Sequence, residues 1–91
     1  WILFDGTGTP SITASYNVTS ITDNATGKWT VNWDTDFSSA SYAGIAMSNG
    51  SMTRAITASL PTAGTFPLNV MNTSGVDIDV SWISVIAFGD Q

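Results

Sequence analysis

The 91-residue chain has no cysteine, no histidine and no glutamate, and its charged side chains are seven aspartates against one lysine and one arginine. Each absence closes off a class of chemistry. Without cysteine there is no disulfide framework and no thiolate metal site, and the redox compartment is left open. Without histidine or glutamate, acid–base catalysis near neutral pH falls to a strongly perturbed Asp, Lys or Tyr, so no catalytic residue is assigned and the chain reads as a non-enzyme. Lys28 and Arg54 face Asp5, Asp23, Asp34, Asp36, Asp77, Asp79 and Asp90, for a net charge of −5. That balance excludes a phosphate-tracking nucleic-acid surface and a polybasic membrane patch. No apolar run reaches the length of a membrane-spanning helix, no signal peptide is visible, and nothing points to a cofactor.

Ser, Thr and Asn take the place of charge and occupy about a third of the positions, while mean hydropathy is +0.17. A surface solubilised by hydroxyls and amides suits a rigid β-structured protein exposed to the environment. The length allows one domain with a thin core, for which association with other chains is the remaining way to bury more surface. The chain opens at Trp1, and the expectation is a single domain over residues 1–91 that forms one module of a longer protein.

No segment repeats apolar residues at helical spacing for three turns, whereas alternation with period two recurs throughout. It predicts strands at Ile2–Phe4, Ile12–Tyr16, Thr19–Thr22, Lys28–Asp34, Tyr42–Met47, Met52–Leu60, Leu68–Asn72 and Ile78–Phe88. About eight short strands at this spacing argue for an all-β antiparallel sandwich. Turns are expected at Asp23–Gly27, Asn49-Gly50 and Asn72–Gly75, with Asn49-Gly50 the clearest hairpin. Pro61 and Pro67 mark a surface connection around residues 62–65, because a missing N–H suits an edge or a loop. Trp29, Val31 and Trp33 share one face of their strand and read as core. The last strand is apolar on both faces, with Ile83 and Val85 on one and Ile86 and Phe88 on the other. In so small a domain this points to a covering subunit, and Ile83 and Val85 are the expected oligomer contacts.

The chemistry-bearing patterns are weak. Asp34-Thr-Asp36 and Asp77-Ile-Asp79 have the two-residue spacing of calcium loops but lack the Gly and distal Glu that complete one, so no metal is assigned. Gly6-Thr-Gly8 lacks the third glycine, lysine and helix of a phosphate loop and reads as a turn. The sequons at Asn17, Asn24, Asn49 and Asn72 are no more than a Ser/Thr-rich chain produces by chance. Phe37 and Tyr42 flank Ser38–Ser41, and Asn49 and Met52 flank the predicted hairpin. Polar loops bearing an aromatic have a carbohydrate-contacting composition, so these four are the candidate binding residues, with core packing as the competing reading.

The opening segment Trp1-x-x-Phe4-Asp5-Gly6-Thr7-Gly8-Thr9-Pro10-x-Ile12-x-x-Ser15-Tyr16-Asn17-Val18-x-Ser20-Ile21-Thr22-Asp23-Asn24, then Gly27-x-Trp29-Thr30-Val31-Asn32, resembles a module of bacteriophage virion proteins. It is most similar to domains of tail-fibre and other appendage proteins. The ending Ile83-Ser-Val-Ile-Ala-Phe88-Gly89 belongs to the same pattern. The resemblance spans residues 1 to about 37 and 78 to 89, and the chain carries Ile12-Thr13 where the family often has Ile-Arg. It implies a virion location, a structural role among other virion proteins and a homotrimer about a threefold axis. Host recognition, by adhesion to cell-surface polysaccharide, is implied where a copy sits at a fibre tip. The rival expectations are a capsid decoration or fibre spacer with no receptor role, and an adhesion domain outside any virus.

Overall fold

Two four-stranded antiparallel sheets face each other in the computed structural model, which describes residues 1–49, 53–57 and 59–91, and the side chains of all of these except Thr53, Arg54 and Ile56. The strands are β1 (Ile2–Asp5), β2 (Ser11–Ser15), β3 (Val18–Ala25), β4 (Lys28–Trp33), β5 (Ala43–Ser48), β6 (Thr53–Thr57), β7 (Thr65–Asn72) and β8 (Ile83–Phe88). Sheet A has the order β2-β1-β8-β5 and sheet B the order β3-β4-β7-β6, and every neighbouring pair is antiparallel. No helix occurs among the described residues. The chain is therefore the all-β sandwich that its period-two alternation predicts.

The core lies between the sheets and follows that alternation. Ile2 and Phe4 of β1, Ile83 and Val85 of β8, Trp29, Val31 and Trp33 of β4, and Phe66, Leu68 and Val70 of β7 all point inward and are buried. Phe4 meets Trp29 edge to face, with ring centroids 5.6 Å apart at 76°. This arrangement sets the positive rim of one ring against the negative face of the other. The Trp29 indole nitrogen is buried with no hydrogen-bond partner among the described residues.

Three local expectations change in three dimensions. Asn49-Gly50 does not close a hairpin, because β5 pairs with β8 in sheet A while β6 pairs with β7 in sheet B; the link crosses between sheets, and Gly50 lies outside the described residues. Pro67 sits inside β7, opposite Thr30 of β4, instead of in a surface connection. The Val70 N–H points to the β4 side, where it donates to Gly27 O. Groups of alternate residues face the same neighbour, so the N–H that Pro67 lacks would face β6, whose described pairing stops at Thr57 and Leu68. Residues 62–65 form a tight turn closed by Thr62 N–H donating to Thr65 O at 3.0 Å.

The long terminal strand is also shorter than expected. Only Ile83–Phe88 is strand, and the preceding stretch crosses one end of the sandwich. Ile78 N–H donates to Val70 O of sheet B at 3.1 Å, and Val80 O accepts from Gly6 N–H beside sheet A at 2.9 Å. Asp79 Oδ1 accepts the Gly27 N–H at 2.8 Å, and Asn69, a buried polar side chain, donates to Gly27 O at 2.8 Å and to Asp77 Oδ1 at 3.0 Å. The carboxylates of Asp77 and Asp79 thus satisfy backbone and amide donors at the end of the core.

Candidate assembly surface

The two outer faces of the sandwich differ in chemistry. On the β3–β4 half of sheet B the outward residues Ser20, Thr22, Asn24, Thr30 and Asn32 are cross-linked: Asn32 Nδ2 donates to Ser20 Oγ and Thr22 Oγ1, both at 3.0 Å, and Asn24 Nδ2 donates to Thr30 Oγ1 at 2.7 Å. Amides and hydroxyls paired this way remain well hydrated at their free lone pairs, which suits a solvent face.

Sheet A presents the opposite. Ile45 faces Ile86 across the β5–β8 pair, Ala43 faces Phe88, and Met47 faces Ser84. Ile83 and Val85 point inward, so Ser84, Ile86 and Phe88 must point outward. Ile45 is 65% exposed, Met47 56%, Ile86 40% and Phe88 71%. Trp1, next to the inward Ile2, adds a half-exposed indole and exchanges backbone hydrogen bonds with Tyr16. Between Ala43, Ile45, Ile86 and Phe88 lies a shallow recess of about 110 Å³. A second depression, of about 260 Å³, opens at the end of the sandwich between Trp1, Tyr16, Phe88 and Gln91, above the buried rings of Trp33 and Phe37.

The sequence-predicted site residues are redistributed by this geometry. Ile83 and Val85, expected at an oligomer contact, are fully buried in the core of their own chain. Of the two apolar faces of β8, the one with the smaller set of large side chains turned inward, because β1 places Ile2 and Phe4 directly beside Val85 and Ile83. Phe37, expected in a binding loop, is also buried; its ring stacks on Tyr42 with centroids 4.0 Å apart at 14° and meets Trp33 edge to face. Tyr42 is half-buried, and its hydroxyl accepts from Trp33 Nε1 at 3.1 Å and donates to Thr65 O at 2.8 Å. Both rings therefore plug one end of the core. Asn49 remains exposed, but it ties the end of β5 to the start of β8, with its N–H donating to Trp82 O at 3.0 Å and its Oδ1 accepting from Trp82 N–H at 3.3 Å. Met52 lies outside the described residues.

Several ionisable groups are held by close neighbours. Asp5 accepts from the Thr7 hydroxyl at 2.6 Å and the Thr7 N–H at 2.8 Å, and these bonds hold its carboxyl below the ordinary carboxylate range. Desolvation pushes the Tyr42 phenol up, partly offset by the Trp33 hydrogen bond. Asp34 accepts from Thr19 Oγ1, and Asp77 lies 3.6 Å from Lys28 Nζ. Among the described residues no three Asp, Glu, His or Cys side chains gather as a metal-binding group. The outward face of sheet A was legible in the sequence only as a pair of apolar faces on one strand. Ile45, on the β5 half of the patch, was missed because alternation alone does not say that β5 lies beside β8. No protein-family profile, characterised protein or solved structure matches the chain.

Proposed function

We propose that this chain is a structural module of a bacteriophage virion appendage of the tail-fibre type, which acts by rigid packing within an assembly and not by catalysis. The observation that carries the structural role is the apolar outer face of sheet A, which exposes Ile45, Met47, Ile86 and Phe88, whereas the β3–β4 half of sheet B exposes a hydrogen-bonded amide and hydroxyl lattice. A sandwich with one apolar outer face is suited to a position where a neighbour covers that face. The virion assignment rests on the similarity of residues 1–37 and 78–89 to appendage domains.

Within that assignment, a spacer position along the fibre is better supported than a receptor-binding tip. The aromatic side chains on which carbohydrate contact depended, Phe37 and Tyr42, are packed against each other and against Trp33. The test is to locate the chain in purified particles by mass spectrometry and electron cryo-microscopy. A position along the fibre shaft supports the proposal, and a capsid-lattice position would replace the appendage assignment with capsid decoration. A place at the exposed fibre end, together with binding to a surface polysaccharide on a glycan array, would replace the spacer reading with adhesion. Absence from the particle would refute the virion assignment altogether.

A further inference from the structure

We infer that the outer face of sheet A is the contact between copies of this chain, with Ile45, Met47, Ile86 and Phe88 at its centre and Trp1 at its margin. The inference deepens the structural-module reading by naming the partner of the exposed face, and three features of the molecule point to a second copy.

The first is area. With side chains of this size, the four central residues and Trp1 leave on the order of 600 Å² of apolar surface open to water, at the top of what a monomer ordinarily exposes in one patch. Two such patches meeting bury on the order of 1,200 Å², the lower bound of a specific, stable interface. A patch of this size is sufficient when it meets its own equivalent, since both sides then contribute apolar area.

The second is charge. Any two copies each carry −5, so self-association is tolerated only where carboxylates are few. Asp77 and Asp79 hold the end of the sandwich beside Asn69 and Gly27, Asp23 lies on the β3 edge of sheet B, and Asp34 lies at the end of β4. Along β5 and β8, from Ala43 to Ser48 and Ile83 to Phe88, there is no ionisable side chain. Asp5, beside the inward Phe4, lies on the outward side of β1 across β8 from β5. A basic partner would be drawn to that carboxylate and to those of the ends and sheet B, whereas the β5–β8 half of the face offers it nothing. A copy of the same acidic chain meets least repulsion there.

The third is the border of the patch. β5 is an edge strand of sheet A, and its sequence Ala-Gly-Ile-Ala-Met-Ser has no charge and no proline, with an unbroken six-residue register against β8. The β3 edge, by contrast, carries Asp23 and two register shifts. Charges, prolines and bulges are the devices that keep edges from meeting other chains. Their absence from β5 leaves the apolar face without a guarded rim.

The experiment is sedimentation equilibrium of the whole chain across the micromolar range, with Ile45→Asp, Phe88→Asp, their combination, and Thr22→Asp on the outer face of sheet B as control. Both patch residues point away from the core, and circular dichroism with tryptophan fluorescence checks that each variant folds. The expected result is a mass at an integer multiple of the chain, a dissociation constant raised by at least about tenfold in each patch variant, a monomer in the double variant, and no change in the control. Amide exchange gives a second reading, since association should slow exchange in β5 and β8 and leave β3 unchanged. A wild-type monomer throughout, or an oligomer that survives the double variant, overturns the inference. Either of those results leaves the virion assignment to stand or fall on the particle measurement.

Discussion

Replacing Gly27 by alanine should be among the most damaging single-methyl changes in this protein, and the reason is separable from backbone strain. Gly27 closes the β3–β4 turn at φ +70, and a Cβ built there would lie 2.6 Å from Val70 O, 2.8 Å from Ile78 N and 2.9 Å from Ile78 O. All three are backbone atoms and cannot rotate aside. Either the turn withdraws, breaking the bonds that Gly27 makes to Asp79, Asn69 and Val70, or the 76–82 crossing is pushed off the end of the core. The left-handed backbone costs a non-glycine residue about 1 kcal/mol. Losing one or two partly buried hydrogen bonds adds about 1–3 kcal/mol. A total near 3 kcal/mol is a large part of the roughly 5–14 kcal/mol available to a chain of this length. It corresponds to a fall in Tm of on the order of 12–24 °C. Gly75 is the control, because it has φ +80 and nothing within 4 Å of an added Cβ. Gly75→Ala should therefore cost about 1 kcal/mol, the strain alone. Urea unfolding followed by tryptophan fluorescence measures both. Losses in the two variants that agree within about 0.5 kcal/mol would show that the close approach of the 76–82 crossing contributes nothing, and would refute the reasoning.

Three further outcomes follow from the packing and the titrating groups. Ile83→Ala, in the core, should cost about 2–5 kcal/mol in denaturant unfolding, whereas Phe88→Ala should change the stability of the dissociated chain by no more than about 0.5 kcal/mol; the reverse order would mean that β8 turns its other face inward. Tyr42→Phe leaves Trp33 Nε1 without its acceptor and Thr65 O without its donor, and should cost about 1–2 kcal/mol. Burial raises the Tyr42 pKa above its ordinary value near 10, so the folded state holds this proton after the unfolded chain has released it. The associated stability is present below pH about 10 and is lost as pH rises through the folded value, and Tyr42→Phe should flatten that alkaline decline in thermal melts. For Asp5 the sign is opposite: its folded pKa is depressed, so its contribution is present above the ordinary carboxylate range and lost as pH falls through the folded value. A carboxyl-carbon NMR titration should place Asp5 below the ordinary carboxylate range, and Thr7→Val should bring it back up; an unchanged midpoint would show that the Thr7 hydroxyl does not set it.

Most strand positions were legible because a half-buried strand writes its burial into every second residue. Trp29, Val31 and Trp33 could occupy only one face of β4, and that face became the core. Local signals were less reliable where a residue's tolerance depends on its neighbours. Pro67 lies within a strand with its ring nitrogen turned away from β4, toward β6, whose described pairing stops at Thr57 and Leu68, and no local reading of proline contains that orientation. Asn49-Gly50 carries strong hairpin chemistry, yet the strands on either side joined different sheets. The candidate site suffered most. Phe37 and Tyr42 sat in a polar stretch and read as loop aromatics, but long-range contact with Trp33 and Thr65 drew them into the end of the core.

Composition and period-two alternation by themselves determined that this chain is all-β, that its ionisable side chains are seven aspartates against one lysine and one arginine, and that its terminal strand is apolar on both faces. Those properties belong to residue types and their spacing, which no folding event alters. Which face of that strand became core was decided only by tertiary structure. Pairing with β1 set Ile83 and Val85 beside Phe4 and Ile2, and pairing with β5 set Ile86 and Phe88 beside Ile45 and Ala43 on the outside. Alternation tells two faces apart but does not say which one the opposing sheet will cover, because that depends on contacts between residues some eighty positions apart in the chain.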